Sequence, residues 1–414
     1  MKIALINTFD TLGGAARATF RLHKGLLKKG VDSKILVQQK GSDDADVIEP
    51  KSKLEKLRVS IATRLDPLPL LFYPNKDSYI FTPGHFGSFN AKMHLDKFDI
   101  FNIHWVGGGF QSVDSISSIT KPLVLTLHDS WAFTGGCHIP YPCDKFMTKC
   151  GSCIKLNSKN NHDLSSNIWS KKYNAWKNKN IVLVGDGTWV AENAKKSSIF
   201  KDHRVEVVHP GLDLNIYKPL NKKFCREILG IEEDVKLILF GAVIATTDPN
   251  KGFQLLVPAL KKFLYENQDN QKIKLIVFGS STASQENFGI DTHYIGKMHD
   301  DISLSILYSA ADVMIVPSII ESFGQTASES FACGTPVVAF RTSGLKDIVD
   351  HQVNGFLAEP YDHNDLAAGI SWVLEDADRL SDLGVEARKK AVEKFGIEKY
   401  VNDYINIYES LIGK

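Results

Sequence analysis

Short apolar runs alternate along this chain with longer segments in which apolar residues recur every three or four positions. The runs fall at 2–7, 34–38, 99–104, 122–128, 181–185 and 205–209. A second series follows at 235–241, 272–279, 312–317, 336–340 and 355–358. The segments between them, such as 15–29, 252–265 and 304–310, carry helical spacing. Strands alternating with helices predict βαβ units and parallel sheets, an α/β fold. The pattern starts afresh near residue 235, after a turn-rich stretch at 210–233. Two Rossmann-like domains are therefore expected, 1–210 and 211–395. A last helix is expected at 396–414, where Tyr400, Tyr404 and Ile407 recur at helical spacing. Ligands in such sheets bind at the C-terminal ends of the strands.

Composition changes this picture little. The chain has 414 residues, 43% hydrophobic and 23% charged, enough for two cores. A net charge of +1 argues against nucleic acid as a partner. The N-terminus, Met1 to Asn7, is a short apolar run followed at once by polar residues, which reads as a strand and not a signal peptide. No run approaches the 18 or so apolar residues of a membrane span. The expectation is a cytoplasmic protein that can still touch the inner face of a membrane.

The most informative stretch runs from Pro317 to Glu329, between a strand and a helix. Gly324 allows close approach of a ligand to the backbone, and the first amides of the following helix suit a phosphate. Glu321 and Glu329 could accept hydrogen bonds from sugar and ribose hydroxyls. Spacing alone also fits two glutamates that merely favour a helix N-terminus.

Glu321-x7-Glu329, followed by Cys333-Gly334-Thr335-Pro336 and Asn354-Gly355-Phe356-Leu357, resembles the donor-site signature of family 4 glycosyltransferases. The N-terminal Gly13-Gly14-Ala15-Ala16 and the stretch Tyr308 to Val313 extend the resemblance over most of the chain. It implies a retaining, metal-independent enzyme of the GT-B fold, with the acceptor domain first, the nucleotide-sugar domain second and a cleft between them. The last helix would cross back to the first domain. By the same resemblance Glu329 binds ribose, Glu321 contacts the donor sugar, and Lys251 neutralises the diphosphate. Ser322, Phe323, Gly324, Gln325 and Thr326 line the donor. Gly13 and Gly14 approach it from the first domain, and His128 faces the reacting sugar, with His104 as a packing neighbour. The implied partners are a nucleotide-diphosphate sugar and a glycan or lipid-linked acceptor, in surface polysaccharide synthesis. One position departs from the family pattern: Ala242, not arginine, follows Gly241. Arg226, His299 and Arg17 are the candidate substitute cations. A catalytically inactive nucleotide- or glycan-binding protein, or a sugar-nucleotide epimerase, would fit the same architecture.

Two features stand apart from this site. Cys137, Cys143, Cys150 and Cys153 fall within seventeen residues of a turn-rich loop and are candidate ligands for one structural zinc, with free thiols or disulfides as the alternatives. The pairs Asp44/Asp46 and Asp376/Asp378 read as solvated turns, so no catalytic metal is expected. Residues 51–65 place Leu54, Leu57, Ile61 and Leu65 at helical spacing among lysines and arginines, followed by 68–73. That pattern fits either a helix packed on the first sheet or one that docks on anionic lipid.

Overall fold

The computed structural model describes residues 1–241, 248–267, 272–279, 288–298 and 300–413. These form two compact units, Met1–Gly211 with Glu398–Lys414, and Leu212–Ile397.

In the first unit the strands are β1 (Lys2–Phe9), β2 (Asp32–Gln39), β3 (Val47–Ile48), β4 (Ile100–Ile103), β5 (Leu123–Leu127), β6 (Ile181–Gly185) and β7 (Arg204–Val207). They make a parallel sheet in the order β3-β2-β1-β4-β5-β6-β7. The central strands are apolar on both faces because helices cover both, and Ile3 to Ile6 are fully buried. Strand order reverses between β1 and β4, which opens a crevice at their C-terminal ends. Gly13, at φ 91°, follows β1 there and begins the helix Gly14–Lys28.

The helix Ile397–Ile412 packs on this unit through three tyrosines. The Tyr400 hydroxyl reaches the Ala18 carbonyl at 3.4 Å, and Tyr404 lies 2.9 Å from the Thr126 hydroxyl. Tyr408 accepts from the Asn102 amide at 2.7 Å. Helical spacing thus delivers one polar tip per turn, Tyr400 to the helix Gly14–Lys28, Tyr404 to β5 and Tyr408 to β4, while the rings stay buried.

The helix Lys53–Leu65 begins with a capping box between Ser52 and Glu55. Ala62 is its one buried residue; Leu54, Leu57 and Ile61 face out, each about half exposed. Leu71 and Phe72 beyond it are 75% and 84% exposed. The segment therefore does not lay its apolar stripe on the sheet. Among the described residues no helix is long and apolar enough to cross a membrane.

His23, on the inner face of Gly14–Lys28, is fully buried with Nδ1 2.9 Å from the Ser33 hydroxyl. Burial pushes its pKa down from 6.5 to about 4. The unfolded chain then binds the extra proton first. Stability should be fully present above about pH 6.5 and fall by roughly 3 kcal/mol as pH drops to 4. Denaturant titrations across that window should show the slope, and His23→Leu should flatten it.

The second unit contains β8 (Lys236–Gly241), β9 (Ile273–Phe278), β10 (Asp291–Gly296), β11 (Val313–Val316), β12 (Val337–Phe340) and β13 (Gly355–Ala358). Its sheet is also parallel, in the order β10-β9-β8-β11-β12-β13, with the reversal between β8 and β11. Two apolar layers sandwich it, one around Phe331 and Tyr308, the other around Phe253 and Leu366.

Candidate active site

The loop 317–324 leaves β11 at the reversal point of the second sheet, where a ligand crevice is expected. Residues 248–252 run beside it. Asn250 ties the two together: its backbone carbonyl accepts the Ile319 amide at 2.8 Å, its side-chain amide donates to the Ile320 carbonyl at 2.8 Å, and its Oδ1 accepts the Ile320 amide at 3.2 Å. This clamp brings Lys251 to Glu321. The ammonium donates to Glu321 Oε1 at 2.7 Å, and the Ser318 hydroxyl donates to the same oxygen at 2.8 Å. Both side chains remain about one-fifth exposed, so the pair is reachable. Burial alone would depress the Lys251 pKa; the Glu321 carboxylate overrides it and holds the ammonium above the ordinary lysine value. Lys251 is therefore a fixed cation at neutral pH.

The helix Gln325–Ala332 starts at Gly324, φ 109°, which carries no capping side chain. Phe323 turns into the core against Phe395, so only its backbone is left to face a ligand. Glu329 lies on the inner side of this helix, 2% exposed, and one oxygen accepts the Tyr308 hydroxyl at 3.0 Å. Ser322, Gln325 and Thr326 are partly exposed along the loop and first turn. Asn250, Ser318 and Ser343, whose hydroxyl accepts the Glu321 amide at 2.9 Å, are supporting residues that the sequence reading missed.

Arg226 cannot replace the family arginine. It is buried, with Nη2 2.8 Å from Asp312 Oδ2, Nε on the Ala310 carbonyl and Nη1 on the Glu233 carbonyl. All three directions of its guanidinium are used inside the unit. Arg17 lies in the first turn after Gly13-Gly14, partly exposed. Ala242 and His299 lie outside the described residues.

In the first unit, β4, β5 and β6 end in a hydrogen-bonded series. Asp186 Oδ2 lies 3.1 Å from His128 Nδ1, and His128 Nε2 lies 2.9 Å from His104 Nδ1. The two imidazoles stack at 5.2 Å. Burial outweighs the bond to His128 and leaves the Asp186 carboxyl raised, and burial keeps His104 neutral. The His128–His104 contact can run either way, with His104 Nδ1 donating to a neutral His128 or a protonated His128 donating to His104. His104 Nε2 is buried and has no hydrogen-bond partner in the structure. His128 thus contacts Asp186 through one ring nitrogen and His104 through the other. Asp186 was missed because Gly185-Asp186-Gly187 reads as a bare turn; its position directly after a buried strand was the available signal.

A cavity of about 30 Å³ beside these histidines is also lined by Asp129, Trp131 and His138. His138 Nδ1 lies 2.6 Å from Asp129 Oδ2, and its Nε2 lies 2.8 Å from the Thr82 hydroxyl. Burial raises the Asp129 carboxyl, but the charge and hydrogen bond of His138 outweigh it and leave the pKa lowered.

Among the described residues, one group of three side chains places its ligand atoms within 4.8 Å of one another: His23, Asp44 and Asp46. Its carboxylates are already paired, Asp44 with Lys24 at 2.7 Å and Asp46 with Lys34. Asp44 and Asp46 are thus ion-paired rather than a bare turn, and the lysines supply the charge a metal would. Asp376 caps the helix Ala377–Lys394. The four clustered cysteines form no disulfide in the structure and line one small cavity.

Residues 221–390, nearly the whole second unit, match the family model for glycosyl transferases group 1. They belong to that glycosyltransferase family. An uncharacterized glycosyltransferase of Methanocaldococcus jannaschii is 28% identical over 318 residues, 71% of this chain and 77% of that protein. D-inositol 3-phosphate glycosyltransferases also match, but the chain spans about half of their length. Among solved structures, sucrose-phosphate synthase from Thermosynechococcus elongatus superposes with a TM-score of 0.71 at 19% identity, covering 100% of this chain and 99% of that one. HepE of Anabaena, solved with UDP and glucose, gives 0.67 at 17% identity, covering 99% and 100%. The glycosyltransferase fold of these neighbours is GT-B, with two Rossmann-like domains, as the resemblance implied.

Proposed function

We propose that this protein transfers a sugar, with retention and without a metal, from a UDP-sugar or a related nucleoside diphosphate donor to an acceptor hydroxyl. The observation that carries this reading is the Lys251–Glu321 pair, clamped by Asn250 and Ser318 at the reversal point of the second sheet. Departure of a nucleoside diphosphate develops negative charge, and a cation already in place stabilises it without reorganisation. Glu321 Oε1 accepts two hydrogen bonds, which damps its nucleophilicity and suits it to holding the donor sugar's hydroxyls. Glu329, beyond the first turn of the same helix, would meet the ribose, and the amides after Gly324 the phosphates. The neighbour solved with UDP and glucose supports UDP as the first donor to try.

The acceptor in this reading is a lipid-linked glycan of surface polysaccharide synthesis, met at a bilayer. Exposed Leu54, Leu57, Ile61, Leu71 and Phe72 sit among exposed Lys51, Lys53, Lys56, Arg58 and Arg64. Apolar insertion and attraction to anionic headgroups act together there. The chain should co-sediment with vesicles rich in anionic lipid. Leu57→Glu with Phe72→Glu should release it; retention of both variants on vesicles would remove lipid from the reading.

Donor binding is tested by thermal shift with UDP, GDP, ADP and dTDP in chelator, followed by transfer of labelled sugar to acceptor. One nucleotide at 100 times its Kd should add about 2.7 kcal/mol, a rise of several degrees. Absence of a shift with all four would overturn the proposal.

A further inference from the structure

The second unit carries a cavity of about 510 Å³, the size of a small-molecule site, that no residue of 248–252 or 317–329 lines. Two of its lining residues, Asp312 and Pro336, stand immediately before β11 and β12. It therefore opens at the N-terminal ends of those strands, whereas the loop 317–324 leaves β11 at its C-terminal end. Charge in the cavity is unbalanced. Asp312 is the one carboxylate among the described residues that line it, and both its oxygens are engaged. Oδ1 accepts from Lys222 Nζ at 2.5 Å; Oδ2 accepts from Arg226 Nη2 at 2.8 Å and from the Leu237 amide at 2.6 Å. Arg388, also in the lining, has no carboxylate within ion-pair distance among the described residues. Its guanidinium donates to backbone carbonyls: Nη1 to Tyr217 and Ala332, both at 2.7 Å, and Nη2 to Leu214 at 3.4 Å. Partial burial draws its pKa below the ordinary arginine value, yet an arginine keeps its charge at neutral pH. Of its five donors, Nε–H and one N–H of Nη2 remain, the side-on edge that fits the two oxygens of a carboxylate. One carboxylate thus answers three cations, Lys222, Arg226 and Arg388.

We propose that this cavity binds a small organic acid, an apolar body carrying one carboxylate, with Arg388 and Lys222 as its cations. The carboxylate takes the remaining Nε–Nη2 edge of Arg388, a charge-assisted fork that an uncharged group cannot match. Lys222, its side chain 42% exposed, adds a second positive charge nearer solvent. The apolar body lies along Pro219, Leu380 and Val385. Val385 is 62% exposed, so covering it adds to the hydrophobic gain. A free sugar does not suit these walls, because prolines and aliphatic side chains leave its hydroxyls without partners. The ligand class therefore differs from that of the donor crevice at the other end of β11.

The test is calorimetry of the full chain with naphthoate and with its uncharged counterpart, naphthamide. The carboxylate should bind with a Kd of about 0.1–1 mM, and about tenfold more tightly than the amide. Arg388→Gln should bring the two probes level. Ser381→Trp, at an exposed position of the lining, should block both while leaving Tm unchanged. Wild type and Ser381→Trp decide the matter even if Arg388→Gln fails to fold. Equal affinity of the wild type for acid and amide, or no binding of either, overturns the proposal. So does naphthoate binding that survives Ser381→Trp, and so does tighter binding of naphthyl phosphate than of naphthoate. Displacement of naphthoate by UDP would put the probe in the donor crevice and overturn it too. Failure of UDP to bind at all would leave these results standing, since the cavity shares no residue with the donor loops.

Discussion

Lys251→Ala should lower kcat/KM for sugar transfer by about 10²–10³, the usual loss when a fixed charge stabiliser is removed. The fold should barely notice, because the Lys251–Glu321 pair is partly exposed and the clamp through Asn250 is untouched. Affinity for the nucleoside diphosphate should fall with activity, since the ammonium would contact the phosphates in both ground and transition states. Glu321→Gln separates the roles. It keeps the shape and the Ser318 contact but releases Lys251 from its carboxylate. Nucleotide affinity should hold or rise, while transfer falls because the donor sugar loses its anionic anchor. Calorimetry with the nucleotide and initial rates on both variants would show this opposite movement. Equal loss of nucleotide affinity in both would mean that the pair is a structural brace and that the diphosphate binds elsewhere.

How far the sequence carries the argument depends on distance along the chain. The buried strands of both sheets were legible because they are continuous apolar runs, and the last helix because Tyr400, Tyr404 and Ile407 keep helical spacing. Strand β3, two residues long, and β10, with exposed polar positions, leave no such run and were not found. At the site, Lys251 and Glu321 were legible one by one through their motifs. Their contact was not: seventy residues separate them, and Asn250, which joins their loops, looks like any asparagine in a turn. Arg226 shows the reverse case: named as a candidate substitute cation by residue type alone, it is sunk by tertiary packing onto Asp312. The contacts among Asp186, His128 and His104 were not legible either, since they depend on three strand ends meeting.

Gly252→Ala should be among the most damaging single-methyl changes in the second unit. Gly252 has φ 71° and ψ 20°, a left-handed conformation that costs a residue with a Cβ about 1–2 kcal/mol. A Cβ there would also stand 1.8 Å from the Pro317 carbonyl oxygen and 2.6 Å from its carbon. Both are backbone atoms at the end of β11, so no side chain can turn aside to relieve the overlap. The two loops must separate, breaking the Asn250 clamp and moving Lys251 off Glu321. A loss of at least about 3 kcal/mol follows, a fall in Tm of roughly 6–12 °C for a unit of this size. Gly230 supplies the control. It shares the left-handed conformation, φ 67°, but a Cβ there meets nothing within 4 Å, so Gly230→Ala should cost only the conformational part. Nucleotide affinity should fall in Gly252→Ala and stay unchanged in Gly230→Ala. If the two variants melt together and bind alike, the close approach of 252 to 317 does not hold the donor site, and the clamp through Asn250 loses its meaning.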